Sequence, residues 1–319
     1  MKIRLFTTIA TTIAFVAVHA ETFIPVKYGN FDNWLTRNIK ESRLLGGETK
    51  KVYEICPSGT DNSGSAYSNR GGSPWGTSNV LASPMGVVKT SNAVYPEARS
   101  GHGKCARLAC EMEKCKVLGM MNMEVLVGGS IFTGEMLEPI KNTKNPYSKM
   151  NMGMSFTKKP KSLRFDYKVY VPDTGNRIYS SGFGKKKTIS GGDHAEALVL
   201  LQKRWEDAKG NIYAKRVGTA REQYGKSTSG WVNGHDMDII YGDATKDKRY
   251  TASMALIPAS KSYYARNSKG KMVPVKEVGW GDDDDEPTHA IIMFSASGGE
   301  PYIGTPGLTL WVDNVGFVY

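Results

Sequence analysis

An all-β chain, folded as a jelly-roll-type two-sheet antiparallel sandwich, is what this sequence predicts, and three observations predict it. Apolar residues recur with period two rather than 3.6 in one segment after another. Glycine accounts for 35 of the 319 residues, well above the roughly 7% average, and it is accompanied by 16 Tyr, 10 Phe and 6 Trp, the balance of a turn-rich, strand-rich chain. Helical periodicity is scarce, and the absence of any repeat of 20–50 residues removes solenoids and propellers.

The clearest element is at 162–171. There Leu163, Phe165, Tyr167, Val169 and Val171 alternate with Ser162, Arg164, Asp166, Lys168 and Tyr170, so one row packs and the other meets water. The same reading gives strands at 104–112, 124–127, 195–205, 236–241, 252–258, 290–295 and 308–319, separated by Gly, Asn, Ser and Pro turns. The stretch at 195–205 also has good helix propensity, but its Gly and Asp flanks and the Lys209-Gly210-Asn211 turn leading into Ile212-Tyr213-Ala214 read as a hairpin. Residues 57–76 and 264–286 carry turn residues without an apolar period and read as surface loops. No linker divides the chain, so residues 21–319 are expected to form a single domain.

Residues 1–20 read as a signal peptide. Lys2 and Arg4 precede an apolar run from Leu5 to Val18, and Val18-His19-Ala20 supplies small residues for cleavage. The run is shorter than a membrane span, so the expected product is exported to the periplasm, the cell surface or the medium, without stable membrane insertion. Its removal leaves 40 basic against 31 acidic residues, a net +9 in place of +11. That charge is dispersed, with local runs only at 158–161 and 185–187, so no nucleic-acid partner is expected.

Cys56, Cys105, Cys110 and Cys115 allow three complete pairings, or buried thiols; spacings of five and five do not resemble a zinc site. The run Asp282-Asp283-Asp284-Asp285-Glu286 lacks the alternating ligands and turning glycine of a calcium loop. Neither a metal nor a cofactor is expected. Serine-hydrolase, zincin, P-loop and dinucleotide motifs are missing.

Candidate ligand-binding residues come from aromatic and amide side chains in turn-rich stretches. Trp75 with Asn79 offers an indole for a sugar's C–H face and an amide for its hydroxyls, or else covers the sandwich edge and closes a turn. Tyr95, Glu97, His102 and Arg107 follow in close order. In a strand at 104–112, Ala106, Leu108 and Cys110 share one face, and Cys105, Arg107, Ala109 and Glu111 the other, which leaves Arg107 off the core row for a carboxylate, vicinal hydroxyls or a surface ion pair. Glu97 and Glu196 are the catalytic candidates, but catalysis of glycoside cleavage requires two carboxyls at a defined separation. His235, Asp236 and Asp238 form one further compact group, read as a polar strand face.

Several segments together resemble one family. They are Trp75-Gly76-Thr77-Ser78-Asn79, Tyr95-Pro96, Ser100-Gly101-His102-Gly103 with Cys105-Ala106-Arg107-Leu108, Gly129-Ser130-Ile131-Phe132-Thr133-Gly134, Phe156-Thr157-Lys158-Lys159-Pro160-Lys161-Ser162-Leu163, and the ending Gly304-Thr305-Pro306-Gly307-Leu308-Thr309-Leu310-Trp311-Val312-Asp313-Asn314-Val315. The chain is similar over about 31–319 to the "putative carbohydrate metabolism domain" (PCMD) family of exported bacterial proteins. The resemblance implies a jelly roll similar to carbohydrate-binding modules and a role in binding or processing glycans, and it supplies no catalytic residue. Three readings follow: an exported carbohydrate-binding protein whose partner is a glycan or oligosaccharide, using Trp75, Asn79, Tyr95, His102 and Arg107; a glycoside hydrolase or polysaccharide lyase using Glu97 or Glu196; and a structural or adhesion component of the cell surface.

Overall fold

The computed structural model describes residues 21–319, apart from 70, 118–120, 183 and 299. The signal-peptide reading of 1–20 lies outside the described residues. The chain is all-β, with 52% of it in strands and 7% helical.

The first large sheet has seven strands. Met121–Gly128, Gly103–Val117, Thr309–Val318, Ser162–Tyr170 and Val232–Asp238 lie side by side, Val94–Arg99 adds to Gly103–Val117, and Phe23–Pro25 adds to Thr309–Val318. The alternation read at 162–171 appears here as a buried row, Leu163, Phe165, Tyr167 and Val169, and Ala106, Leu108 and Cys110 point the same way. These side chains meet Ala195, Ala197, Val199, Leu201, Ala290, Ile292 and Phe294 of the second sheet in one apolar core. To that extent two sheets pack face to face, as a sandwich requires.

The second sheet corrects the jelly-roll expectation. Its path runs His289–Ser295, Ala195–Glu206, Ile212–Tyr224, Met272–Trp280, Tyr264–Arg266, Met150–Met152 and Ser130–Met136, and the last strand pairs back onto His289–Ser295. A seven-stranded barrel-like ring results, with parallel pairing of Ile212–Tyr224 to Met272–Trp280 and of Met150–Met152 to Tyr264–Arg266. Gly134 makes closure possible. At φ 138° it is where Ser130–Met136 leaves its His289–Ser295 partner for Met150–Met152, and a Cβ there would sit 2.0 Å from Asn151 O.

The face of Ala195–Glu206 away from the shared core reads Glu196, Leu198, Leu200, Gln202, Arg204, polar at both ends and apolar between. Leu198 and Leu200 pack with Phe132, Met150, Met152, Ile291 and Met293 in a second cluster. Toward one end Arg216 Nε donates to Glu277 Oε1 at 2.6 Å and Gln202 Nε2 donates to the same oxygen at 2.6 Å. Both Arg216 and Glu277 side chains are 1% exposed. Such a pair survives burial because each charge has its partner and its hydrogen bonds.

Other expectations shift in detail. Residues 252–258 are not a strand but a 3-10 turn, Ala252–Met254, whose Ser253 carbonyl accepts from Arg221 Nη1 at 2.6 Å. The loop expected at 264–286 contains the hairpin of Tyr264–Arg266 and Met272–Trp280. Within 57–76, Gly59–Asp61 and the start of Trp75–Thr77 are strands. Cys56, Cys105 and Cys110 are free buried thiols, and Cys115 is buried as well. Cys105 and Cys110 occupy opposite faces of Gly103–Val117, which forbids a bridge between them.

Candidate functional site

The face of the seven-stranded sheet that turns away from the core carries a cross-strand row. Tyr95 lies opposite Arg107, Arg107 opposite Trp311, and Trp311 opposite Lys168. Four adjacent strands at about 4.8 Å spacing carry the row across roughly 14 Å. All four side chains are half-buried.

Contacts along this row alternate cation with ring. The Arg107 guanidinium carbon sits 4.3 Å from the Tyr95 ring centroid, and its Nε lies 3.1 Å from Glu97 Oε2. The other Glu97 oxygen accepts from Trp311 Nε1 at 2.8 Å. Lys168 Nζ is 3.9 Å from the Trp311 centroid and 5.8 Å from that of Trp231. The Tyr95 hydroxyl, 2.9 Å from Glu111 Oε2, closes the far end. Burial first, and Glu111 beside it second, push the Tyr95 phenol up, so it stays protonated and donates.

Beneath Trp231 lies a buried ionic cluster. The Arg99 guanidinium carbon is 3.9 Å from the Trp231 centroid. Its Nη1 donates to Asp166 Oδ2 at 2.8 Å and Asp313 Oδ2 at 2.6 Å, and its Nη2 donates to Asn233 Oδ1 at 2.7 Å. The Gly234 amide donates to Asp166 Oδ1 at 2.6 Å, and Asn314 donates from its side chain to Asp166 Oδ2 and from its backbone to Asp313 Oδ1, both at 2.8 Å. Register shifts on both sides of Asp166 and a left-handed Asn314 at φ 51° shape this point. Bulges re-aim side chains in this way.

Environment splits the two carboxyls. Burial works to raise Asp166, but the Gly234 and Asn314 amides and Arg99 together hold it below its ordinary range. Burial dominates at Asp313 and pushes it up despite Arg99. Every oxygen of the pair is occupied by a donor within the chain, so the cluster's office is to anchor Trp231 and hold four strands in register, not to present free carboxyls.

The structure brings Tyr95, Glu97 and Arg107 together and separates the other candidates. Trp75 is not an available indole: it is 1% exposed, donates from Nε1 to Lys27 O at 2.9 Å and packs edge-on to Phe31 in the core. Asn79 is buried too. Its amide donates to Tyr53 O and Val94 O and its carbonyl accepts from the Ala93 and Val94 amides, leaving nothing for a ligand. His102 is exposed in the turn between Val94–Arg99 and Gly103–Val117, outside the row. Glu196 points into the ring, its side chain fully buried and clamped by Arg221 at 2.7 Å. Glu97 lies on the outer face of the other sheet, so the two glutamates cannot act on one bond.

Sequence reasoning missed Arg99, Lys168, Trp231 and Trp311 and treated Asp166 as a solvated residue. A signal existed for Trp311, which falls between the core residues Leu310 and Val312 and must therefore face outward.

A second, polar groove of about 620 Å³ lies at the ends of Ile212–Tyr224 and Val232–Asp238, lined by Arg221, Glu222, Gln223, Asp236, Asp238 and Arg249 among others. Glu222 Oε2 accepts from Tyr224 Oη and lies within hydrogen-bonding distance of His235 Nε2, both at 2.7 Å, and the bond to Glu222 raises the His235 pKa above its ordinary value. Asp236 is held by Arg164 Nε at 2.9 Å and Ser162 Oγ at 3.0 Å. Among the described residues, no group of three or more potential ligands could hold a metal ion, and no helix is long and apolar enough to cross a membrane.

The fold and site define an all-β scaffold that carries rings and hydrogen-bonding groups on an outer sheet face. The family model described as "Putative carbohydrate metabolism domain" (PCMD) matches residues 31–271, and the chain belongs to that family. No curated protein matches it. Among solved structures it is similar to a "putative glycoside hydrolase" from Bacteroides thetaiotaomicron VPI-5482, at 17% identity and TM-score 0.45, covering 89% of this chain and 70% of that one. It is also similar to a "putative glycoside hydrolase" from Bacteroides vulgatus ATCC 8482, at 15% identity and TM-score 0.41, covering 94% of this chain and 95% of that one.

Proposed function

We propose that this protein is an exported glycan-binding protein of carbohydrate metabolism, and that the Tyr95–Arg107–Trp311–Lys168 row with Trp231 is its sugar platform. The row itself carries the reading. Indole rings offer apolar faces to the C–H face of a pyranose, while Lys168, Arg107 and Glu97 stand beside them to bond hydroxyls. Lys168 rests on Trp311 by a flexible stem, so a sugar displaces it from the ring and gains its ammonium as a donor. Calorimetric titration against a panel of oligosaccharides is expected to find at least one ligand, and no binding at millimolar concentration to any of them rejects the reading. For export, amino-terminal sequencing of the native secreted protein is expected to begin at Glu21; a chain retained in the cytoplasm with Met1 in place rejects it.

A second reading, glycoside hydrolysis, is favoured by one observation: Glu222, Asp236 and Asp238 line the same polar groove. It replaces the Glu97 and Glu196 pairing. If it holds, the protein releases reducing ends from a bound glycan, and Glu222→Gln or Asp238→Asn lowers that rate by about 10²-fold or more, the scale of general acid–base catalysis. A wild-type protein that releases none discards it.

A further inference from the structure

We propose that the apolar groove between the Gly103–Val117/Met121–Gly128 hairpin and the mouth of the ring is a separate binding site for an uncharged apolar molecule carrying a single hydrogen-bonding group. The groove encloses about 270 Å³, close to the lower end of small-ligand pockets, which start at about 300 Å³. Met123 and Val125 from the hairpin, Met150 and Met293 from the ring, and Ile140 and Tyr147 from the connection that joins the ring strands Ser130–Met136 and Met150–Met152 form its walls. Protein interiors close such space by packing. Here four methionines from four different strands, Met123, Met136, Met150 and Met293, surround it instead, and thioether side chains adapt to the shape of an occupant.

Charge decides which occupant. The charged residues that line the groove are Lys89, Glu113, Lys114 and Glu300, and each is already matched within the chain. Lys89 lies between Glu41 at 3.3 Å and Glu113 at 3.5 Å, Lys114 reaches Glu124 at 4.0 Å, and Lys261 holds Glu300 at 2.5 Å. An ionic headgroup would have to displace one of these partners. A neutral one would not. Ser91, which also lines the groove, has a buried hydroxyl with no hydrogen-bond partner, and a buried polar atom left unmatched is costly. A ligand with one donor or acceptor satisfies it once χ1 of Ser91 turns the hydroxyl into the groove. Saccharides are a poor match, because their many hydroxyls would face thioethers and aliphatic side chains.

The site shares the strand Gly103–Val117 with the sugar platform but none of its residues, and it is tested without a glycan. The uncharged probe N-phenyl-1-naphthylamine is expected to give a saturable fluorescence rise with the full chain. 1-Decanol should displace it, with decanoate at least tenfold weaker. Ala82→Trp, which fills the groove from its wall, should weaken probe binding tenfold or more with an unchanged melting curve, and Ile140→Trp serves if the first variant fails to fold. Ser91→Ala should weaken decanol more than decane. Non-saturable fluorescence, equal displacement by decanol and decanoate, or wild-type probe affinity in a folded groove-filled variant overturns the proposal.

Discussion

Replacing Arg99 with methionine is expected to cost about 3–5 kcal/mol of folding stability, the range for removing one partner from a buried ionic group. Asp313 and Asp166 are 1% and 10% exposed at their side chains, so the variant strands two carboxylates with amide donors alone. Urea denaturation at pH 7 measures the loss. A second substitution separates charge from volume: Asp313→Asn in the Arg99→Met background is expected to recover part of the stability, since it removes one unpaired charge. A loss below about 1 kcal/mol for Arg99→Met would mean that the cluster contributes no more than a solvent-exposed ion pair.

The pH dependence has opposite signs at the two aspartates. Asp166, lowered in the fold, contributes stability that is present above the unfolded value of about 3.9 and is lost as pH falls through its folded value. Asp313, raised in the fold, contributes stability that is present below that value and is lost as pH rises through its folded value. In Arg99→Met both carboxyls move upward, so both favour the acid side. The stability gap between variant and wild type is therefore expected to be widest at neutral pH and to narrow as pH is lowered toward 4.

The legible part of this fold was whatever one strand could say about itself. Ser162–Tyr170 and Ala195–Glu206 declare their buried rows by alternation or by an unbroken apolar run, and the inward Ala106, Leu108 and Cys110 follow from strand geometry alone. Met272–Trp280 was hidden because its ring-facing Glu277 is a charge, matched by an Arg216 that no local window contains. Ring closure was hidden for a related reason. It rests on the second pairing of Ser130–Met136, a property of which strands meet rather than of any one of them.

The site divides the same way. Arg107 could be placed off the core with Tyr95 and Glu97 close to it in sequence, yet Trp311 and Lys168 belong to strands distant in sequence, and only register makes them a row. Trp75 misled because an indole beside glycine and asparagine reads equally as a loop platform or a core plug, and nothing local reports that Phe31 and Lys27 O wait for it. Asn79 misled similarly, since an amide satisfied four times by backbone looks in sequence like one free for a sugar.

Trp311→Ala is expected to weaken glycan binding by at least tenfold, because the ring sits at the centre of the row, where truncating an aromatic anchor costs most, typically about 2 kcal/mol or more. Trp311→Phe keeps an apolar face but surrenders the Nε1 bond to Glu97, so it should retain more affinity than the alanine variant and less than wild type. Lys168→Met separates stacking from donation. It removes the ammonium while keeping an apolar stem beside the Trp311 face, and a loss there comparable to that of Trp311→Ala would assign the affinity to hydrogen bonding, whereas a small loss or a gain assigns it to the ring. Far-ultraviolet circular dichroism should be unchanged in all three, since each side chain faces away from the core. Wild-type affinity in Trp311→Ala would move the sugar site off this sheet and toward the groove at Glu222.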